Sequence, residues 1–183
     1  MANAVATVVA GLPLLCVTLS SASMAEPQCY SNDRYHVVAQ PYPDDAGNQF
    51  AVTKLTGAVP AACTFDESNA DLVIGKVGDP LWYADLSGDS LILSRSTGPQ
   101  GDLVVYDLKT GKPILDVPAD DYELKGKSLT FWQRTGPATA ETCPSFAENE
   151  ANGFGSMTAA LKRLDLESKA VAETGESKCV AVQ

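Results

Sequence analysis

The stretch that decides the fold is "DLVVYDLKTGKPILDV", residues 102–117. A strand-like run at 102–108 is followed by Lys-Thr-Gly and then by a second strand-like run at 113–117. A short loop with Gly near its end is typical of a β-hairpin, because Gly reaches the positive φ that such turns need without a steric penalty. The stretch therefore predicts two antiparallel strands joined by a tight turn.

The same pattern recurs along the chain. Gly-containing turns at 45–49, 86–90, 109–112 and 124–128 separate short runs rich in β-branched and aromatic residues, and Leu91 and Leu93 share one face of their run. We predict strands at 34–40, 49–55, 70–76, 81–86, 90–95, 102–108, 113–117, 122–124 and 128–134. The fold class is therefore mainly β, an antiparallel meander of about nine to eleven short strands, as in a sandwich, a barrel or a propeller-like arrangement.

The tail, residues 156–173, fits two alternatives. As a helix it would place 157, 160, 161 and 164 on one face, with Ser156 as the cap. As strands it would repeat the earlier hairpin, since "LDLESK" (164–169) is similar to "YDLKTGK" (106–112) but lacks the Gly. We expect strand–turn–strand, then a turn near 174–178 and a final strand. Residues 135–155 have little strand character and predict a long loop anchored at Cys143.

The first 25 residues contain no charged side chain. An apolar stretch from Val5 to Leu19 is followed by small residues ending at Ala25, as in a secretory signal peptide, although no Lys or Arg precedes the stretch. We predict cleavage after Ala25, so that residues 1–25 are the signal peptide and residues 26–183 form one exported domain. No later apolar run approaches the length of a membrane span. The predicted location is periplasmic or secreted.

Four cysteines follow the predicted leader. An even number of cysteines in an exported chain indicates disulfides, and four allow three pairings. We expect the sequential pairing, which closes two loops of about 35 residues. No Cys-x-x-Cys or Cys/His cluster is present, so a zinc site is not predicted. The four residues are Cys29, Cys63, Cys143 and Cys179.

The formal charge of −10, from 13 basic and 23 acidic residues, limits the partners. Such a chain repels phosphate backbones and anionic lipid surfaces, so we predict no nucleic-acid partner and no membrane partner. The same charge favours a basic protein as the partner.

Candidate chemistry in the sequence is sparse. His36 is the only histidine, and no nucleophile motif accompanies it, so we predict a protein that is not an enzyme, with no catalytic residue. Carboxylates in the turns could offer oxygens to calcium, and the alternating Glu148, Glu150 and Asn152 have the best spacing. None of these patterns is specific for an ion, so no metal and no cofactor are predicted.

Two connections have the composition of protruding binding loops. "SRSTGPQGD" (94–102) is rich in small residues and Gly, and "FAENEANGFGS" (146–156) is acidic. We predict that they form a binding edge. Its candidate residues are Arg95, Thr97 and Gln100 in the first loop, and Glu148, Glu150 and Asn152 in the second.

The hairpin "YDLKTGK" resembles the hairpins of β-propeller blades, a resemblance that covers about a dozen residues. The whole chain resembles small uncharacterised secreted proteins of Gram-negative bacteria, which implies residence in the envelope. We expect a non-catalytic exported binding protein, for example an acidic inhibitor of a cationic envelope hydrolase such as a lysozyme. The alternatives are a structural envelope or sensor domain and a carboxylate-dependent hydrolase.

Overall fold

The computed structural model describes residues 26–60 and 62–183, which form twelve strands and one short helix. The elements are β1 (Gln28–Ser31), β2 (Tyr35–Pro41), β3 (Asn48–Lys54), β4 (Leu72–Ile74), β5 (Leu81–Ser87), β6 (Ser90–Arg95), β7 (Asp102–Asp107), β8 (Lys112–Pro118), β9 (Tyr122–Lys125), β10 (Ser128–Pro137), α1 (Phe146–Ala151), β11 (Gly155–Asp165) and β12 (Val171–Val182).

The strands form three antiparallel sheets of four consecutive strands each. Sheet A contains β1–β4, sheet B contains β5–β8 and sheet C contains β9–β12, and within each sheet the strands are neighbours in chain order. Short connections favour this arrangement, because a tight hairpin places each strand beside the one before it. The mainly β, antiparallel fold predicted from the sequence is confirmed, and the sheets are not closed.

Sheet B lies between the other two sheets and is buried on both faces. In β6, Leu91 and Leu93 belong to the core shared with sheet A, and Ile92 belongs to the core shared with sheet C. In β7, Val104 faces sheet A and Val105 faces sheet C. All five side chains are fully buried. This double burial explains the unbroken apolar run in "LIL", since a strand covered on both faces does not need polar residues at alternate positions.

Each of the outer sheets contributes one apolar face. Sheet A adds Tyr35, Val37, Ala39, Phe50, Val52 and Ile74 to the first core. Sheet C adds Leu129, Phe131 and Leu164 to the second. The face shared by Tyr35 and Val37, and the opposite faces of Phe131 and Trp132, follow from the two-residue period of a strand.

The nine strands predicted before residue 135 are all present. The strand β1 was not predicted, because "QCYS" has too few apolar residues to stand out and is specified by its pairing with β2. The tail forms strands rather than a helix, as expected. However, β12 is one strand from Val171 to Val182, and the turn predicted near 174–178 is instead an irregularity at 174–176 in its pairing with β11.

The prediction of one long loop at 135–155 is also wrong. The strand β10 continues to Pro137, and residues Phe146–Ala151 form the helix α1. "FAENEA" consists largely of good helix formers, but a helix of six residues is too short to be recognised from sequence periodicity.

The two disulfides join Cys29 to Cys63 and Cys143 to Cys179, which confirms the sequential pairing. Their Cα atoms are 5.7 Å and 5.2 Å apart, within the usual range. The first disulfide ties the connection between β3 and β4 to β1. The second ties the segment before α1 to the end of β12.

Within the described residues, no helix has both the length and the apolar character needed to cross a membrane. The signal-peptide prediction concerns residues 1–25, which lie outside the described residues.

The stack of sheets has two distinct ends. We call one the turn end, where the tight turns at 32–34, 88–89, 108–111, 126–127 and 166–170 lie, together with the longer connection at 55–71. We call the other the loop end, where the connections at 42–47, 75–80, 96–101, 119–121 and 138–154 lie. Hydrogen bonds join neighbouring sheets at both ends, for example Asn32 Nδ2 to Gly88 O (2.8 Å) at the turn end and Gln183 N to Gln100 Oε1 (3.1 Å) at the loop end.

Candidate functional site

At the loop end, Arg95 lies within a group of carboxylates. Its Nε donates to Asp79 Oδ1 (2.6 Å), its Nη1 and Nη2 donate to the two oxygens of Asp116 (2.6 and 3.0 Å), and Nη1 also contacts Asp102 (3.3 Å). These hydrogen bonds, with Asp116 as the main cause, raise the pKa of Arg95 further above its ordinary value, although burial opposes the shift. Arg95 therefore holds β6, β7 and β8 together, and its charge is neutralised.

Arg134 is neutralised in the same way. This buried side chain donates through Nη1 to the carboxylate of Asp120 and through Nη2 to the carbonyl of Gly101. The Asp120 carboxylate also accepts a hydrogen bond from Gly101 N (2.6 Å). The arrangement fixes the 96–101 loop to sheet C.

The two predicted binding loops lie at the same end of the stack. Gln100 of the first loop accepts a hydrogen bond from Gln183 N, just after the end of β12. The last residue of β12, Val182, pairs with Gly155, the first residue of β11 after the second loop. Thr97 is exposed at the tip of its loop. The second set of residues lies on and after a helix instead of in a loop: Glu148 and Glu150 are exposed on α1, and Asn152 caps its end.

The loop end also carries carboxylates that have no basic partner. Six of them are exposed, and none forms an ion pair with any residue in the described part of the chain. Arg95 and Arg134 are already bound by aspartates, and Lys76 in the 75–80 connection is the one other exposed cation in the described loop-end connections, so this surface is negative. The six residues are Asp44, Asp45, Asp121, Glu141, Glu148 and Glu150.

The turn end contains a cleft with the opposite charge balance. A cavity of about 370 Å³ opens between turns of all three sheets. Four basic side chains and three carboxylates line it, in a chain that has almost twice as many acidic as basic residues. The basic residues are Arg34, Lys109, Lys127 and Lys169, and the acidic residues are Asp89, Asp107 and Glu167.

Asp107 is the most buried of these ionisable groups, with only 1% of its surface exposed. Its carboxylate accepts hydrogen bonds from Lys169 Nζ, from Thr110 Oγ1 (2.8 Å) and from Lys109 N (3.2 Å). Burial by itself would raise the pKa of Asp107, but the hydrogen bonds from Lys169 and Thr110 outweigh it and lower the pKa. Asp107 is therefore ionised at neutral pH and holds the ammonium group of Lys169 in place.

Asp89 likewise holds two other cations in place, Lys109 and Arg34. Lys109 Nζ lies 2.7 Å and Arg34 Nη1 lies 2.8 Å from Asp89 Oδ2. Burial opposes ionisation here as well, but the hydrogen bonds from Lys109 and Arg34 lower the pKa of Asp89. Lys127 forms a separate pair with Glu167 (2.8 Å) at the mouth of the cleft.

The similarity between "YDLKTGK" and "LDLESK" reflects two turns with the same geometry. In the first, Gly111 N donates to Asp107 O (2.8 Å), and Gly111 has φ 68°. In the second, Lys169 N donates to Asp165 O (2.7 Å), and Lys169 has φ 62°. Among the described non-glycine residues, Lys169 alone has a positive φ, a conformation that is costly for a side chain of its kind. The lysine of the second turn bonds the aspartate of the first.

The residues of the cleft were not singled out by the sequence reasoning. The one sequence signal that includes them is the repeated Asp-Leu turn, which contains Asp107 in its first copy and Lys169 in its second. Nothing in the sequence shows that the turns of separate sheets meet, because their residues are far apart along the chain and are brought together only by the stacking of the sheets.

His36 lies on β2 near the turn end, on the face of sheet A that points away from sheet B. It is buried, and its Nδ1 is hydrogen-bonded to Ser31 Oγ (2.8 Å). Its buried Nε2 has no hydrogen-bond partner among the described residues. Burial lowers the pKa of His36, so the imidazole is neutral at physiological pH.

In the described part of the chain, no group of three or more His, Cys, Asp or Glu side chains is arranged to hold a metal ion. At the loop end, three carboxylates surround Arg95, whose guanidinium occupies the position that a cation would take.

The structure thus defines a stack of three β-meanders, with one disulfide in each of the two outer meanders, a negative surface at one end and a cleft rich in lysine at the other. Comparisons with protein families, with curated proteins and with solved structures found no match to this chain.

Proposed function

We propose that this chain is an exported, non-catalytic binding protein whose loop end binds a basic protein, such as a cationic hydrolase of the bacterial envelope. The observation that supports the proposal is the imbalance of ion pairs at the loop end. Six exposed carboxylates there have no basic partner among the described residues, and the two nearby arginines are already neutralised.

Such a surface favours association with a cationic partner. Complementary charge steers the encounter and increases the association rate, and the effect is lost as salt screens the charges. Three features support a rigid platform for this contact: the Cys143–Cys179 disulfide before α1, the Arg95 ion pairs and the Arg134 bridge to the 96–101 loop. Rigid surfaces lose less conformational entropy on binding.

Export is part of the same proposal. Disulfides form and persist in oxidising compartments, and two are present in this domain. Mass spectrometry of the native protein should find a mature chain that starts at Glu26 and contains no free thiol. An intact N-terminus or four free thiols would contradict export.

The binding proposal is tested with a basic lysozyme as the probe, in a titration at low and at physiological ionic strength. A loop-end variant with Asp121→Asn, Glu148→Gln and Glu150→Gln loses three negative charges. The matched control loses three exposed charges elsewhere, through Asp33→Asn, Glu123→Gln and Glu173→Gln.

We expect saturable binding of the lysozyme to the unaltered protein that weakens with salt. The loop-end variant should bind on the order of tenfold more weakly at low salt, and the control variant should stay within about twofold. Equal losses in the two variants would show that only net charge matters, and salt-independent binding would contradict an electrostatic contact. If the lysozyme does not bind, low-salt capture from an envelope extract must recover a basic protein that prefers the unaltered loop end, or the proposal fails.

A further inference from the structure

We propose that the turn-end cleft binds one oxyanion group, a phosphate or a carboxylate, of a small molecule. The cations that hold the group are Lys109, Lys127 and Lys169, with Arg34 at the side of the cleft. This inference concerns the opposite end of the molecule from the proposed protein contact and does not depend on it.

The size of the cleft fits a small ligand. Its volume of about 370 Å³ lies at the lower end of the range of about 300–1,000 Å³ that is usual for ligand sites. Walls from sheets A, B and C surround it: Arg34 precedes β2, Asp89 lies between β5 and β6, and Lys169 lies between β11 and β12. A site assembled from several rigid sheets keeps its shape without a ligand.

The cleft has one more cation than carboxylates, which favours an anion, and each of its four cations already pairs with one of those carboxylates. It carries four cations against three carboxylates, whereas the whole chain has 13 basic and 23 acidic side chains. Each lysine ammonium has three N–H donors, and the pairs with Asp89 and Glu167 occupy one donor each on Lys109 and Lys127. The remaining donors can form charge-assisted hydrogen bonds, which are the stronger kind, with the oxygens of a bound anion.

The cations are held in position before any ligand arrives. Asp107 and Asp89 stay ionised because their hydrogen bonds to cations outweigh the cost of burial. Lys169, which bonds Asp107, has a positive φ, a conformation that is unfavourable for lysine. Strained residues of this kind are found where a side chain must point into a site.

The acidic surface elsewhere limits the ligand to a small one. A long polyanion would extend beyond the cleft and meet a chain with a net charge of −10, which repels it. A single phosphate or carboxylate group on a small molecule meets only the cations of the cleft.

The test is a titration of the disulfide-bonded protein with inorganic phosphate and, separately, with succinate, at constant ionic strength. The readout is the change in amide chemical shifts of Gly88 and Gly126 in the turns around the cleft. One variant carries Lys109→Met and Lys127→Met, which remove two exposed cations that line the cleft.

The matched control carries Lys112→Met and Lys125→Met. These two lysines are exposed and lie on the same two hairpins, but they do not line the cleft. Both variants lose the same charge, and neither loses a buried side chain, so both should fold.

We expect saturable shifts with at least one of the two probes, and the probe that binds more tightly identifies the oxyanion. The Kd should rise about tenfold in the cleft variant and stay within about twofold in the control. The absence of a saturable shift with both probes would overturn the proposal, and so would an equal rise of the Kd in both variants.

Discussion

The turn end and the loop end are built from the same twelve strands, but the two ends differ in which charged groups are enclosed by groups of the opposite charge. At the loop end, aspartates enclose Arg95 and Arg134, and exposed carboxylates remain without a partner in the described chain. At the turn end, Asp89 and Asp107 are the enclosed groups, and lysines surround them. The net charge of −10 therefore agrees with the loop end but not with the lysine-rich cleft at the turn end. Partners must be inferred from each end separately.

The difference arises from the kind of connection at each end. The tight turns at one end place Gly, Lys and a turn-forming Asp at fixed positions, and Asp107 and Asp165 accept backbone hydrogen bonds within their own turns. In the longer connections at the other end, Asp79 and Asp120 bind arginines, whereas Asp121 and Glu141 are exposed to solvent. The long 55–71 connection at the turn end likewise carries exposed carboxylates without an ion pair in the described chain, namely Asp66, Glu67 and Asp71.

The largest loss of stability is expected when a glycine at the loop end is replaced, and the comparison is with a glycine at the turn end. At Gly47 in the loop end, φ is 93°, and an added Cβ would lie 2.6 Å from Pro80 Cα and 2.7 Å from Leu81 N, which are backbone atoms. At Gly111 in the turn end, φ is 68°, and the nearest atom is Leu72 Cδ1 at 2.9 Å, which can move. Gly47→Ala should cost about 3 kcal/mol or more of the free energy of unfolding, and Gly111→Ala about 1–2 kcal/mol. Urea denaturation with intact disulfides measures both, and equal costs would contradict the close contact between sheets A and B.

The next largest loss of stability is expected when a buried aspartate at the turn end is replaced, and the comparison is with an aspartate at the loop end. Asp107→Asn should cost about 2–3 kcal/mol, because it removes a buried charge that Lys169 and Thr110 both bond. Asp116→Asn should cost less than about 1 kcal/mol, since Asp116 is half exposed and Arg95 keeps two other carboxylates. The measurement is again the urea midpoint. A larger loss of stability for Asp116→Asn than for Asp107→Asn would contradict the expectation that the Asp107–Lys169 pair contributes more than the Asp116–Arg95 pair.

A smaller effect should appear with pH at the turn end. Burial lowers the pKa of His36 in the folded protein below its ordinary value of about 6.5, so the unfolded chain takes up the proton first as the pH falls. The contribution of His36 to the free energy of unfolding is therefore fully present above about pH 6.5 and is lost as the pH falls below that value. The urea midpoint should be lower at about pH 5.5 than at about pH 7.5, a window in which Asp89 and Asp107 remain ionised.

His36→Asn is the control for this pH dependence. The side chain of Asn can keep a hydrogen bond to Ser31 but does not titrate, so the difference in urea midpoint between the two pH values should shrink. An unchanged difference in the variant would show that another group causes the pH dependence.

The smallest effect is expected for loop-end carboxylates. Glu148→Gln with Glu150→Gln should change the free energy of unfolding by less than about 0.5 kcal/mol, because both residues are exposed and neither has a basic partner in the described chain. Thermal or urea unfolding measures this, and a loss above about 1 kcal/mol would mean that these residues support the fold instead of being free to bind.

Most strand positions were predictable because they depend on local features, whereas the disulfide pairing was one of the three that four cysteines allow. The alternation in β2, the apolar run in β6 and the Gly turns each act within a few residues. The helix α1 and the strand β1 were missed for the opposite reason. Each is short and takes its form from a tertiary contact, the packing of α1 against β11 in one case and the pairing of β1 with β2 in the other.

The binding loops were predicted at one end, and the structure places Gln100 and α1 together there, linked through the end of β12. Arg95 was named as a loop residue exposed for binding, whereas its charge is bound by three aspartates. The sequence contains both Arg95 and Asp116, but it does not show that β6 and β8, on either side of β7, bring the two side chains within hydrogen-bonding distance.

The amino-acid sequence by itself determined most of the strands, the tight turns between them and the presence of two disulfides, because side-chain period and Gly conformational freedom act over a few residues and the number of cysteines is even. Only the tertiary structure decided which charges meet. The stacking of three separate sheets brings Arg34, Asp107 and Lys169 to one cleft from positions that are up to 135 residues apart, and no local pattern records the order in which sheets stack.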